Sequence, residues 1–109
     1  MEYPFSSEER EVLNSQGAFE AVRTMIRNRI EEIDDMSCYR DDVAFQRTQS
    51  LHNLISYIRG LAIGGRQTEG HPLTTLNPES TRLLLDEAGY DLSGEVISYE
   101  ELCLRENTL

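Results

Sequence analysis

Leu51-His52-Asn53-Leu54-Ile55-Ser56-Tyr57-Ile58-Arg59-Gly60-Leu61-Ala62-Ile63 decides the fold. Leu51 and Ile58 stand seven apart, Leu54 and Leu61 fill the turns between, and Ile55 and Ala62 widen the same face. Ala44 and Arg47 carry the stripe back to Asp41-Asp42, both suitable N-cap residues. Gly64-Gly65 supplies the stop, because glycine accepts the left-handed conformation that ends helices. The spacing predicts an amphipathic helix near 42–63. From Val43 to Gly65 the chain has Arg47 and Arg59 but no carboxylate.

Upstream, Ser6-Ser7-Glu8-Glu9 has the spacing of a capping box, with Ser6 as N-cap and Glu9 three residues on. Val12, Phe19, Ile26 and Ile33 then recur at sevens, with Val22 and Ile30 beside them. This predicts one helix near 7–33, with Gly17 a weak point costing up to ~1 kcal/mol relative to Ala. Residues 34–41 read as a polar connection. Ile33 with Ala44, Ile26 with Leu51, and Phe19 with Ile58 share one sum of position numbers, as facing residues of an antiparallel pair must. The expected packing seam is therefore Phe19, Val22, Ile26, Ile30, Ile33, Leu51, Leu54 and Ile58. Ala18, Ala21 and Met25 lie off it and need cover from the rest of the chain or from another subunit.

After the hairpin, Arg66 to Leu76 is loop-like. Asn77-Pro78 opens a short helix through Leu83-Leu84-Leu85 and Ala88, which Gly89 stops. Asp91-Leu92-Ser93-Gly94 is a turn. Glu95 to Tyr99 suits a short strand, or Ser98 caps a last helix through Leu102 and Leu104; the helix is preferred. The expected fold is all-α: an antiparallel two-helix hairpin over 1–65, then an extended arm over 66–109 with one or two short helices. The apolar clusters of the arm are too small for a second core. They are expected to dock on a neighbouring chain rather than on their own hairpin.

With 109 residues the chain is one small domain, 39% hydrophobic and 28% charged. Its net charge of -10 argues against unspecific nucleic-acid binding and against a polybasic membrane anchor. No apolar run approaches the length of a membrane span, and Met1-Glu2-Tyr3-Pro4-Phe5 does not read as a signal peptide. Two cysteines, Cys38 and Cys103, make neither a disulfide framework nor a zinc site. All ten basic residues are Arg, a side chain suited to bidentate pairing with carboxylates at packed interfaces.

No catalytic or metal constellation emerges. Asp91 to Leu102 is similar to the second half of an EF-hand calcium loop, but counting from Gly94 or from Glu101 loses a ligand either way. His52 and His71 have no carboxylate or cysteine at ligand spacing, and Cys38 has no predicted base nearby. The expectation is a protein that is not an enzyme and takes no cofactor and no metal. Charge is more telling. Glu31, Glu32, Asp34, Asp35, Asp41 and Asp42 gather at the closed end of the hairpin, with Arg40 the local counter-charge. Such an end reads either as a solvated acidic surface, as most charge runs are, or as a tip that docks on basic protein surface or imitates the phosphates of DNA.

Ala18-Phe19-Glu20-Ala21-Val22-Arg23, the turn from Glu31 to Asp42, and Leu51 to Leu61 together resemble the small helical-hairpin proteins of bacteriophage structural and packaging modules. The resemblance covers residues 8–65 and implies a non-enzymatic virion or head-tail assembly component acting by protein–protein contact. Its partner would be a larger virion or assembly protein or a second copy, and its location the virion or host cytoplasm rather than a secreted setting. The alternative is an acidic inhibitor, a DNA mimic or a factor against host defence. Partner-contact candidates are Glu31, Glu32, Asp34, Asp35, Asp41, Asp42, Leu83, Leu84, Val96 and Ile97. No direct nucleic-acid or membrane contact is expected.

Overall fold

From Leu51 to Ala62 every residue except His52 and Arg59, which share one face, is buried, so this stretch is surrounded by protein on all but that side. A computed structural model shows what surrounds it. It describes residues 5–34, 41–63 and 76–108, with side chains throughout except at Asp41 and 106–108. These residues form five helices and no strand: α1 (Ser7–Gln16), α2 (Ala18–Asp34), α3 (Asp41–Ile63), α4 (Pro78–Ala88) and α5 (Tyr99–Thr108). α3 lies centrally, packed against α2, α4 and α5, while α1 packs on α2.

The expected single helix over 7–33 is two helices. α1 ends at Gly17, whose φ of 98° and ψ of 176° belong to a region that essentially only glycine occupies. The chain reverses there. Asn28 Nδ2 donates to Glu9 Oε2 at 2.9 Å, whereas residues nineteen apart on one straight helix lie roughly 28 Å apart. The capping box is formed: Glu9 N–H donates to Ser6 Oγ at 3.2 Å, and Ser6 N–H donates to Glu9 Oε1 at 2.9 Å. Glu9 is therefore buried with hydrogen bonds to both carboxylate oxygens, closing α1 onto α2.

α2 and α3 run antiparallel. Arg29 Nε donates to Ser50 Oγ at 3.1 Å, and Arg47 NH1 donates to the Glu32 carbonyl at 2.9 Å. These two pairs share one position sum, two above that of the seam read from the sequence. Of the seam residues, Val22, Ile26, Leu51, Leu54 and Ile58 are buried, and Phe19, Ile30 and Ile33 are half-buried against the same cluster. Ala18, Ala21 and Met25 are buried within this one chain.

The expected extended arm is folded back. α4 packs on α3 and α2, and α5 packs on α3, so Leu84, Leu85, Ile97 and Leu102 belong to the common core. Polar ties reinforce the return: Ser56 Oγ donates to the Glu95 carbonyl at 2.6 Å, and Arg23 pairs with Glu87 at 2.7 Å. The Cα radius of gyration, 13.4 Å, matches the roughly 13 Å of a closed domain of this length. The apolar face of the hairpin is thus covered by its own chain, which is the cheaper solution because α4 and α5 are already tethered to it.

The caps explain where these last helices begin and end. Asn77 Oδ1 accepts from Ser80 N–H at 2.8 Å, and Pro78 follows as the first helical residue. Gly89 ends α4 in the left-handed conformation, with Tyr90 N–H donating to the Leu85 carbonyl at 2.9 Å. Ser98 Oγ accepts from Glu101 N–H at 3.2 Å and opens α5, so residues 95–98 are not a strand.

Candidate functional site

Three places on this scaffold concentrate polar and charged groups. The first is the end where α2 finishes and α3 begins. Glu31, Glu32 and Asp34 are exposed in the last turn of α2, which contains no basic residue. A helix C-terminus carries partial negative charge, so carboxylates there oppose the dipole instead of complementing it. Asp42 is exposed in the first turn of α3, and its Oδ1 accepts from Val43 N–H at 3.0 Å. Phe45, three residues on and therefore on the same helical face, is 67% exposed. Asp35, Cys38, Arg40 and the side chain of Asp41 lie outside the described residues, as does His71.

The partner-contact candidates of the C-terminal part divide sharply. Leu83 is exposed, but Leu84 and Ile97 are 1% and 2% exposed and Val96 is half-buried. Leu84 and Ile97 therefore serve the chain's own core and offer no surface to a partner. Three successive leucines on a helix point in directions about a hundred degrees apart, so one of them faces out. The neighbouring groove between α2 and α4 has a volume of ≈ 250 Å³. Its floor is Ile26, Ile30, Leu84 and Ala88, and the Arg23–Glu87 ion pair lies on its rim.

The second place is the calcium-loop-like turn. Ser93 N–H and Ser93 Oγ both donate to Asp91 Oδ1, at 3.0 and 2.6 Å. Those bonds, with the Arg59 guanidinium 4.0 Å away, hold the Asp91 carboxyl below the usual aspartate range. Gly94 has a φ of 110°, and a Cβ there would stand 2.9 Å from Arg59 NH1. Arg59 Nε donates to the Asp91 carbonyl at 2.8 Å. The cation that this turn faces is the protein's own guanidinium. Among the described residues, no group of three or more His, Cys, Asp or Glu side chains is arranged to hold a metal ion.

The third place escapes sequence reasoning altogether. Behind that turn, α3, residues 90–95 and α5 enclose a polar cavity of ≈ 460 Å³ that reaches Asn53, Arg59 and Arg105. Asn53 Oδ1 accepts from Gln49 Nε2 at 2.9 Å and from Arg105 NH1 at 3.2 Å. Asn53 is 1% exposed, and its Nδ2 is buried with no hydrogen-bond partner. A buried amide left so costs about 1–3 kcal/mol. The signal available in the sequence was faint: Gln49 and Asn53 stand one turn apart, but Arg105 lies 52 positions away.

Elsewhere the core is chemically quiet. Burial pushes the Tyr57 hydroxyl well above the usual tyrosine range, with the nearby Cys103 thiol adding to the shift. Tyr57 and Tyr99 stack tilted, with ring centroids 5.6 Å apart. Cys103 is a buried free thiol, without the exposure that a reactive cysteine needs. No described helix is long and apolar enough to cross a membrane. Comparison with protein-family models, with curated proteins and with solved structures finds no match.

Proposed function

We propose that this protein acts without catalysis, by protein–protein contact, as a component of a larger assembly such as the phage structural modules its hairpin pattern resembles. One observation carries the reading: three exposed carboxylates occupy the C-terminal turn of α2, where they oppose the helix dipole. Charge placed against local stability points to selection for something other than stability. A basic partner surface would be attracted by it, and Phe45 beside Asp42 offers an aromatic anchor of the kind that dominates interface energetics.

Glu31→Gln, Glu32→Gln and Asp34→Asn combined should therefore raise stability in denaturant melts, by about 0.3–1 kcal/mol per charge at most. The same variant should lose the partner that a photo-crosslinker at position 45 captures in cells. A variant that is no more stable, or that crosslinks to the same protein as strongly, would sink the reading. A captured partner that is a DNA-binding protein, competed away by DNA, would favour the inhibitor alternative over the assembly role.

A further inference from the structure

α1 is joined to α2 by the single residue Gly17, and among the described helices it packs on α2 only. It is fastened there by the bond from Asn28 Nδ2 to Glu9 and by Leu13 at the edge of the core. Phe5, just ahead of the helix, is buried in the same core. A second copy of the chain offers the identical α2 and the identical core, so each of these contacts is available between copies as well as within one.

The joint supplies the reason for exchange. One residue leaves no slack for an antiparallel reversal, so Gly17 is confined to φ 98° and ψ 176°. Glycine loses more conformational freedom than any other residue when it is confined. Nothing at the joint offsets that loss. A Cβ on Gly17 would meet no atom within 4 Å, so packing does not hold it. The backbone ladder does not hold it either: Gly17 N–H closes α1 on the Val12 and Leu13 carbonyls, and Ala21 N–H opens α2 on the Gly17 carbonyl. Short, constrained hinges invite exchange of the element that they carry.

The register lets the exchange close. Glu9 and Asn28 stand at equal distances in sequence from a point between Ala18 and Phe19, beside the joint. A two-fold axis through that point sets Glu9 of each copy against Asn28 of the other at the same time. An isologous contact of this kind stops at two copies and does not run on into a fibre. We propose that residues 5–16 are an exchangeable arm through which two copies of this chain dimerise, α1 of each lying on α2 of the other. The proposal rests on Gly17 and Glu9 and not on the acidic end of α2, so it stands or falls separately from the contact proposed there.

The test labels two copies of the full chain differently. One carries a nitroxide on Arg10→Cys in a Cys38→Ser background, and the other is unmodified and 15N-labelled. They are unfolded, mixed and refolded together at about 1 mM, comparable to the effective concentration that a short linker gives α1 on its own α2. Sedimentation should show a dimer, and the nitroxide of one copy should broaden the amide signals of residues 24–28 in the other. Inserting Gly-Ser-Gly-Ser after Gly17 gives the reversal slack, and should return the chain to monomer at the same concentration. The proposal fails if the refolded parent is monomeric there, or if a dimer forms whose broadening falls away from α2. It fails equally if the inserted variant dimerises as fully as the parent.

Discussion

Apolar residues recur at sevens both from Val12 of α1 to Phe19 of α2 and from Leu51 to Ile58 within α3, yet α1 and α3 are held to the molecule by different means. Over Leu51–Ala62, α3 is buried on every face but the one that carries His52 and Arg59. In α1 the sole buried residue is Glu9, while Val12 and Leu13 are half-buried. α3 is retained by apolar area removed from water, which is worth roughly 25 cal/mol per Å² and has no direction. α1 is retained by direction: a glycine that turns the chain and a carboxylate that two donors, Ser6 N–H and Asn28 Nδ2, fix in place. Apolar spacing marks which surface is to be covered. It does not mark where the chain bends to cover it.

Truncating α3 should produce the largest effect. Ile58 and Leu54 are both 0% exposed in the common core. Ile58→Ala should cost about 2–5 kcal/mol, through lost transfer energy and the cavity left behind. Val12→Ala in half-buried α1 should cost clearly less in the same urea titration. Equal losses would break the contrast between the two helices.

Gly17→Ala comes next, at about 1–3 kcal/mol of destabilisation. No atom lies within 4 Å of the added Cβ, so the cost is backbone strain at a φ of 98° and not a clash. The competing structure is the straight helix over 7–33, which alanine favours by up to ~1 kcal/mol. Paramagnetic labels at positions 10 and 27 would distinguish the two forms, because straightening moves them from neighbours to opposite ends. A variant as stable as the parent would mean that packing, not Gly17, sets the reversal.

Much of this architecture is legible in the residues once their environment is understood. The carboxylate-free run from Val43 to Ile63 falls in the central helix, most of whose residues from Leu51 on are buried where a charge cannot be hydrated. Asn77-Pro78, Gly89 and Ser98 mark helix ends because capping is local chemistry, settled within a few residues. Gly17 misleads because Val12 and Phe19 keep their spacing across it, so periodicity runs on where the backbone turns. The return of the arm misleads for another reason. Leu84, Ile97 and Leu102 each look too few for a core, and only α3 makes them parts of one. The cavity at Asn53 depends on Arg105, and no local pattern joins residues so far apart.

Glu9 sharpens the contrast at smaller scale. Glu9→Ala removes the acceptor of Ser6 N–H and of Asn28 Nδ2 and should cost about 1–2 kcal/mol. Hydrogen exchange should speed in α1 and stay slow in α3, since the carboxylate ties only the first helix. Uniform acceleration across all five helices would show α1 to be as integral as α3.

The smallest effect belongs to the turn at Asp91, where direction rather than burial again holds the chain. Asp91 is exposed, and Ser93 and Arg59 hold its carboxyl below the unfolded value. Hydrogen bonds from Ser93 are the larger cause. A depressed acid stabilises the folded chain above its unfolded pKa, and that contribution fades as pH falls through the folded pKa. In Asp91→Asn the group no longer titrates. The variant should therefore sit slightly below the parent near neutrality, and the two melting curves should converge in acid. Because the side chain is 78% exposed, high salt should shrink the part owed to Arg59 and spare the part owed to Ser93. A gap between parent and variant that widens on acidification would reverse the sign, and with it the claim that this turn is held by the ionised form of Asp91.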